Sequence, residues 1–168
     1  MKRLITFAAL LFASLGAFAQ GGMDMIAEVW QNSRLSFSYS YETKVSNVPV
    51  KVSGNAVIQD FCYVRKDNGL EIYNDGVTKW TVDSDAKEVY IEKSGGRDEF
   101  IGIAGSYMNS LSDVRFDNDS VSGSVLENGV RTDFKASGIR TEPKSDKMDA
   151  FRFDTSKLDS SWVVTDLR

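Results

Sequence analysis

The sequence predicts a mainly β domain of the α+β type: a strongly curved antiparallel sheet that forms an unclosed half-barrel, with helices covering its concave face. Three observations lead to this fold class. Apolar and polar residues alternate strictly over 35–41, and residues 69–92 have the pattern of a meander of three short strands. Two other segments, 23–31 and 100–111, place apolar residues at helical spacing.

The first half of the chain is predicted to contain one short helix over 23–31, followed by five or six strands. The strand over 35–41 is the clearest, because one of its faces is apolar and the other carries serines. Strands over 50–58 and 61–64 come next, and Asn68-Gly69 turns the chain into the meander. The apolar face of the 35–41 strand consists of Leu35, Phe37, Tyr39 and Tyr41.

The meander is built around Asp75-Gly76, a pair that readily adopts the positive φ angles of a tight hairpin. The strand after this turn contains Trp80, and an acidic turn at 83–85 leads into a strand with Val89 and Ile91. The block therefore has a defined order of strand, polar-Asp-Gly turn, Trp-containing strand, acidic turn and strand.

The second half is predicted to begin with a helix over 98–111 and to return to strands. Its apolar stripe follows the i, i+3, i+4 spacing, and its members are Phe100, Ile103, Ala104, Tyr107, Met108 and Leu111. Later strands are expected over 114–117, 121–126, 130–139, 151–154 and 162–166, with Asn128-Gly129 as a hairpin turn and 140–147 as an exposed loop.

The N-terminus has the features of a cleavable secretory signal. Lys2 and Arg3 precede an apolar run over 4–18, and Ala17 and Ala19 stand at the small-residue positions of a cleavage site. We therefore expect a signal peptide over 1–19 and one exported, soluble domain over 20–168, since no later run approaches the ~20 apolar residues that span a bilayer.

The only cysteine, Cys62, lies far from the expected cleavage point. It is therefore not placed to carry the acyl chains of a lipoprotein, and one cysteine cannot form an internal disulfide. Between Phe61 and Tyr63 on a strand, we expect it to be shielded and packed as a small apolar group.

Composition argues against several classes of function. The chain has 20 Lys and Arg residues and 24 Asp and Glu residues. Cleavage of the predicted signal peptide would remove Lys2 and Arg3 and leave 18 basic and 24 acidic residues, a formal charge of −6. A negatively charged domain has no electrostatic reason to bind nucleic acid. No histidine is present, so the usual general base and zinc ligand are missing. We expect no enzyme activity, catalytic residue, metal site or cofactor, and interpret Asp83, Asp85, Asp117 and Asp119 as turn and surface residues.

Two blocks at opposite ends of the chain resemble the periplasmic lipoprotein carriers of the LolA type. One is the meander over 69–92, and the other is Phe151-Arg-Phe-Asp154 with Val163-Val-Thr-Asp-Leu-Arg168, which is similar to the family's closing hairpin. The resemblance implies a half-barrel whose concave face holds acyl chains. It also places Phe61 and Tyr63 where the family has an aromatic pair pointing into the cavity. The family's basic-Pro turn before that pair is replaced by Val57-Ile-Gln-Asp60, so its lid latch is absent or rebuilt elsewhere.

The resemblance implies a monomeric periplasmic carrier that takes lipoprotein acyl chains from an inner-membrane ABC extraction complex and passes them to an outer-membrane acceptor. The alternative is a LolA-like envelope interaction or sensing module with a closed core and no lipid cargo. Aromatic and Met side chains can line a cavity that accepts lipid. The candidate cavity residues are Phe37, Tyr39, Tyr41, Phe61, Tyr63, Trp80, Phe100, Ile103, Tyr107 and Met108.

Overall fold

The computed structural model describes residues 32–45, 48–98, 110–117, 119–127 and 129–168. The predicted signal peptide and the predicted helix over 23–31 lie outside these residues. The described residues form ten strands: β1 Ser33–Val45, β2 Val48–Gln59, β3 Cys62–Asp67, β4 Leu70–Asn74, β5 Thr78–Asp83, β6 Glu88–Lys93, β7 Leu111–Asp117, β8 Ser120–Glu127, β9 Val130–Pro143 and β10 Val163–Asp166.

All ten strands belong to one sheet, in the order β10-β6-β5-β4-β3-β2-β1-β9-β8-β7. Every neighbouring pair is antiparallel except β10 and β6, which run parallel. The outermost strands, β10 and β7, pair with one neighbour each, so the sheet is not closed into a barrel.

The predicted hairpin turns at Asn68-Gly69 and Asp75-Gly76 are confirmed. Gly69 and Gly76 have φ angles of 82° and 87°, in the left-handed region that glycine adopts without strain. The second turn is reinforced by Asp75, whose Oδ1 accepts hydrogen bonds from the backbone N–H groups of Val77 (3.0 Å) and Thr78 (2.8 Å). These turns fix the register of β3, β4 and β5, and the register decides which side chains share a face.

One face of the sheet is buried at β1, β2, β3 and β9, and the opposite face is buried at β3 to β6. Strand β3 belongs to both groups and is buried on both faces. Tyr63 and Arg65 of β3 lie on the same face as Ile58 and Ala56 of β2. Cys62 and Val64 point the other way, toward the face that Tyr73 of β4 shares. All four of these β3 side chains are buried.

The face that Cys62 and Val64 share carries a hydrophobic cluster on β3 to β6. A C-terminal strap, defined as residues 144–162, covers it. The buried members are Cys62, Val64, Tyr73, Val82, Val89, Ile91 and Phe151, and the partly buried ones are Val57, Trp80, Met148, Phe153, Leu158 and Trp162. Five of these side chains, Met148, Phe151, Phe153, Leu158 and Trp162, come from the strap.

The strap is held by contacts along its length. Phe151 is fully buried in the cluster, and the Arg34 guanidinium lies 5.6 Å from the centre of its ring. Arg152 Nε forms an ion pair with Asp75 Oδ2 at 3.0 Å. The strap contains two short 3₁₀ turns, Met148–Phe151 and Thr155–Lys157, and ends where β10 adds to β6.

The predicted fold class, a half-barrel with helices covering its concave face, is wrong. The chain is mostly β in one unclosed ten-stranded sheet, and within the described residues no helix covers either face. The strap, which has no helical periodicity, packs on one face instead, because singly placed side chains such as Phe151 fill the cluster. The second predicted helix lies largely outside the described residues, and its last residue, Leu111, begins β7 and pairs with Val125.

The expected closing hairpin of 151–154 with 162–166 is also wrong. Phe151 ends a 3₁₀ turn, and β10 pairs in parallel with β6 rather than with the segment before it. The reason is that the strap crosses the cluster and reaches the far edge of the sheet, where Val163 N donates to Lys87 O at 2.9 Å.

Replacing Phe151 by Ala is expected to lower the free energy of unfolding by about 3–5 kcal/mol, because it opens a cavity in the cluster. Denaturant unfolding of the purified protein measures this loss. Val164→Ala on exposed β10 is the matched control, for which a change within about 0.5 kcal/mol is expected. Equal effects of the two substitutions would contradict the burial of the strap.

The prediction that Cys62 is shielded is confirmed by its burial in the cluster. Burial, together with the nearby Asp75 and Asp60 carboxylates, raises the pKa of the thiol from 9.0 to about 11. We therefore expect an aromatic disulfide reagent at pH 7.5 to label the native protein at least roughly 100-fold more slowly than the urea-unfolded protein. Labelling at comparable rates would show that the strap does not cover this face.

The same shift links stability to pH. The thiol ionises at lower pH in the unfolded chain than in the folded one, so unfolded molecules lose the proton first. The contribution of Cys62 is therefore present below pH 9 and is lost as the pH rises through about 11.

Candidate functional site: a buried aromatic face with an internal charge network

The candidate site is the buried face of β1, β2, β3 and β9, which we call the aromatic face. The strict alternation of β1 places its apolar residues on one side, and the strand register aligns them with apolar residues of the neighbours. Its members, all buried, are Leu35, Phe37, Tyr39, Tyr41, Ala56, Ile58, Tyr63, Phe134 and Ala136.

Three aromatic rings follow one another along β1. The rings of Phe37 and Tyr39 have centroids 6.4 Å apart and are tilted by 59°. The rings of Tyr39 and Tyr41 are also 6.4 Å apart but stack at 11°. Alternate residues of a strand stand about 6.6 Å apart, so this spacing follows directly from the backbone. The face therefore presents a continuous row of rings rather than isolated aromatic residues.

A charge network of Tyr39, Arg65 and Asp67 lies within this face. Arg65 Nε donates to Tyr39 Oη at 2.8 Å and to Asp67 Oδ2 at 2.9 Å, and Arg65 Nη2 also pairs with Asp67 Oδ2. Tyr39 Oη in turn donates to Asp67 Oδ2 at 2.8 Å. Arg65 is fully buried, and Tyr39 and Asp67 are also buried, so the opposite charges compensate each other away from water.

The protonation states of the network follow from its surroundings. Burial is the largest effect on Tyr39, and it raises the pKa of the phenol, which therefore remains a hydrogen-bond donor. Burial lowers the pKa of Arg65, but Tyr39 and Asp67 raise it more, so the net shift is upward. Tyr39 therefore keeps its hydroxyl hydrogen, and the network holds Arg65 in its charged form.

Gly54 of β2 makes room for the network. A Cβ atom at this position would lie 2.8 Å from Tyr39 Oη, 2.8 Å from Asp67 Cβ and 2.2 Å from the Lys66 carbonyl oxygen. No side chain fits there without displacing β3. Glycine at residue 54 is therefore a requirement of the site and not only of the strand.

The structure brings together part of the predicted cavity. Phe37, Tyr39, Tyr41 and Tyr63 lie on the aromatic face, and Phe61 is buried in the turn between β2 and β3. Trp80 lies on the other face, where it is partly buried in the strap-covered cluster. The remaining predicted residues lie outside the described residues; they are Phe100, Ile103, Tyr107 and Met108.

Sequence reasoning missed Arg65 and Asp67. The signal was available, because Tyr63, Arg65 and Asp67 alternate in one phase and a buried Tyr63 places both charged residues on the buried face. Phe134 was also missed, although it sits in a predicted strand; its register opposite Tyr41 is needed to assign it.

The acidic residues singled out in the sequence do not form a metal site in the described part of the chain. Asp83 serves the β5–β6 turn, accepting from the backbone N–H groups of Asp85 (3.0 Å) and Ala86 (2.9 Å). No group of three or more potential ligands converges among the residues that the structure describes.

No protein-family model matches the chain, and a sequence search finds no match among curated proteins. Among the described residues, no helix is long and apolar enough to cross a membrane.

Asp67→Asn is expected to lower the free energy of unfolding by about 3–5 kcal/mol, because it leaves the buried Arg65 charge uncompensated. The double variant Arg65→Met, Asp67→Leu removes both charges and should recover most of that loss. Urea unfolding of the parent, the single variant and the double variant measures both effects. A single variant with wild-type stability would show that the pair is hydrated rather than buried.

Proposed function

We propose that the chain is a periplasmic carrier that binds the acyl chains of lipoproteins against its aromatic face. The observation that carries this proposal is the row of buried rings on β1, continued by Tyr63 and Phe134 on the neighbouring strands. A broad aromatic surface offers an acyl chain contact without demanding one fixed geometry.

The energetics of acyl binding fit such a surface. Each methylene transferred from water gains about 0.8 kcal/mol, so about ten methylenes gain about 8 kcal/mol, from which the entropy cost of association is subtracted. The charge network does not oppose this, because Arg65 and Asp67 already neutralise each other and Tyr39 donates its hydroxyl hydrogen to the carboxylate.

The arrangement of the two cores supports a one-sided site. The strap covers the hydrophobic cluster on the opposite face with five of its own side chains. The proposal therefore assigns the acyl ligand to the aromatic face, whose side chains are buried in the protein without ligand and have to become accessible for binding. A carrier of this kind would receive its cargo from an inner-membrane ABC extraction complex and release it to an outer-membrane acceptor. Both partners belong to the proposal through the resemblance of the sequence to LolA-type carriers.

A second function is favoured by one observation. A buried ion pair in the middle of the aromatic face is also what a permanently closed core would hold, because buried charges are tolerated where they are paired. In that case the chain is an envelope interaction or sensing module without lipid cargo.

Filling the aromatic face distinguishes the two functions. Ala56 is buried between Phe37 and Arg65 of the adjacent strands, so Ala56→Phe occupies space on that face. Asn55→Phe, at an exposed position one residue earlier on the opposite face of β2, is the matched control. Binding of a fluorescent palmitate analogue to the two variants and the parent is measured by titration.

The carrier proposal predicts that Ala56→Phe weakens palmitate binding at least roughly tenfold while Asn55→Phe leaves it unchanged, with thermal melts to verify that both variants fold. Mass spectrometry of organic extracts from gently purified parent protein should also detect acyl lipids. A folded parent that binds no palmitate and yields no lipid would reject the carrier and favour the closed-core module.

A further inference from the structure

The two-residue turn between β2 and β3 has an unusual backbone conformation. Gln59 pairs with Cys62, and the two residues between them, Asp60 and Phe61, have φ angles of 52° and 63°. Turns of this kind favour Asn and Gly, whereas a bulky aromatic residue is disfavoured in the left-handed region. Something other than intrinsic preference therefore holds Phe61 there.

The contacts that hold the turn come from the start of the strap. Gln59 is almost fully buried, and its amide forms a reciprocal pair with the backbone of Ser145: Nε2 donates to Ser145 O at 2.8 Å, and Ser145 N donates to Oε1 at 3.0 Å. Lys144 Nζ forms an ion pair with Asp60 Oδ1. These three hydrogen bonds fix the residues immediately before Phe61.

Phe61 lies at the end of the sheet where Ile58 and Tyr63 of the aromatic face pair with each other. Its ring is buried, and the Arg97 guanidinium lies 5.9 Å from the ring centre. The same turn thus carries an aromatic side chain next to the aromatic face and polar anchors to the strap.

We propose that Gln59 and Lys144 are positioning residues: by tying the β2–β3 turn to the strap, they hold Phe61 in its left-handed conformation at the end of the aromatic face. The consequence for acyl binding rests on the proposed function. The positioning itself does not, because it concerns the conformation of Phe61 in the protein without ligand.

The test places 4-fluorophenylalanine at residue 61 of the mature protein and records its ¹⁹F NMR spectrum. The variants are Gln59→Leu, which removes both contacts to Ser145, and Lys144→Ala, which removes the ion pair to Asp60. Arg152→Ala is the control, since it breaks the strap's ion pair with Asp75 and leaves the contacts of Gln59 and Lys144 in place. We expect one ¹⁹F resonance in the parent and in Arg152→Ala, and a shifted or second resonance in the other two variants.

An unchanged ¹⁹F spectrum in folded Lys144→Ala and Gln59→Leu would overturn the proposal. If Gln59→Leu does not fold, the spectrum of Lys144→Ala decides alone. Titration with the fluorescent palmitate analogue then separates the two claims. Weaker binding in the variants whose resonance shifts, with unchanged binding in Arg152→Ala, supports both, whereas shifted resonances with no binding by the parent reject the carrier function and leave the positioning role standing.

Discussion

The structure depends on the burial of β3 on both of its faces. A strand whose side chains alternate between two cores must satisfy both sets at once, so a shift of one residue in its register would exchange Tyr63 and Arg65 with Cys62 and Val64. The aromatic face and the strap-covered cluster would then both lose their central members. The tight turns on either side of β3, at Asp60-Phe61 and Asn68-Gly69, prevent this exchange.

The two faces that meet at β3 are covered differently. On one side the strap closes the cluster with its own side chains, and the polar contacts of Gln59, Asp60 and Asp75 fix its path. On the other side Tyr39, one of the β1 rings, hydrogen-bonds to a compensated ion pair, for which Gly54 provides the space. A carrier needs this asymmetry, because one face has to maintain the fold while the other exchanges apolar contacts with a ligand.

Much of the sheet could be predicted from the sequence. The alternation over 35–41 assigned the buried side of β1, and the Asn-Gly and Asp-Gly pairs located hairpins, because both signals are local. The strap could not be predicted, because its apolar residues follow neither helical nor strand spacing. Phe151 is buried through contacts to strands that are distant in sequence. Trp80 was predicted to line the same cavity as the β1 rings, but it lies on the opposite face of the sheet. The face of this residue depends on the strand register across two successive turns, which the sequence does not determine. The sequence predicts separate strands over 50–58 and 61–64, but the Asp60-Phe61 turn has neither Gly nor Asn, so its left-handed backbone and the position of Phe61 in the turn could not be predicted.

Photolabelling can show whether acyl chains bind on the aromatic face, as proposed, and not on the strap-covered face. The mature protein is irradiated with a palmitate that carries a diazirine in its chain, and the adducts are located by tandem mass spectrometry. If the proposal is correct, adducts are expected on Tyr41 of β1, Tyr63 of β3 and Phe134 of β9 and on their neighbours on that face. Adducts concentrated on Val82, Val89 and Phe151, or labelling no stronger than that of the urea-unfolded protein, would contradict it.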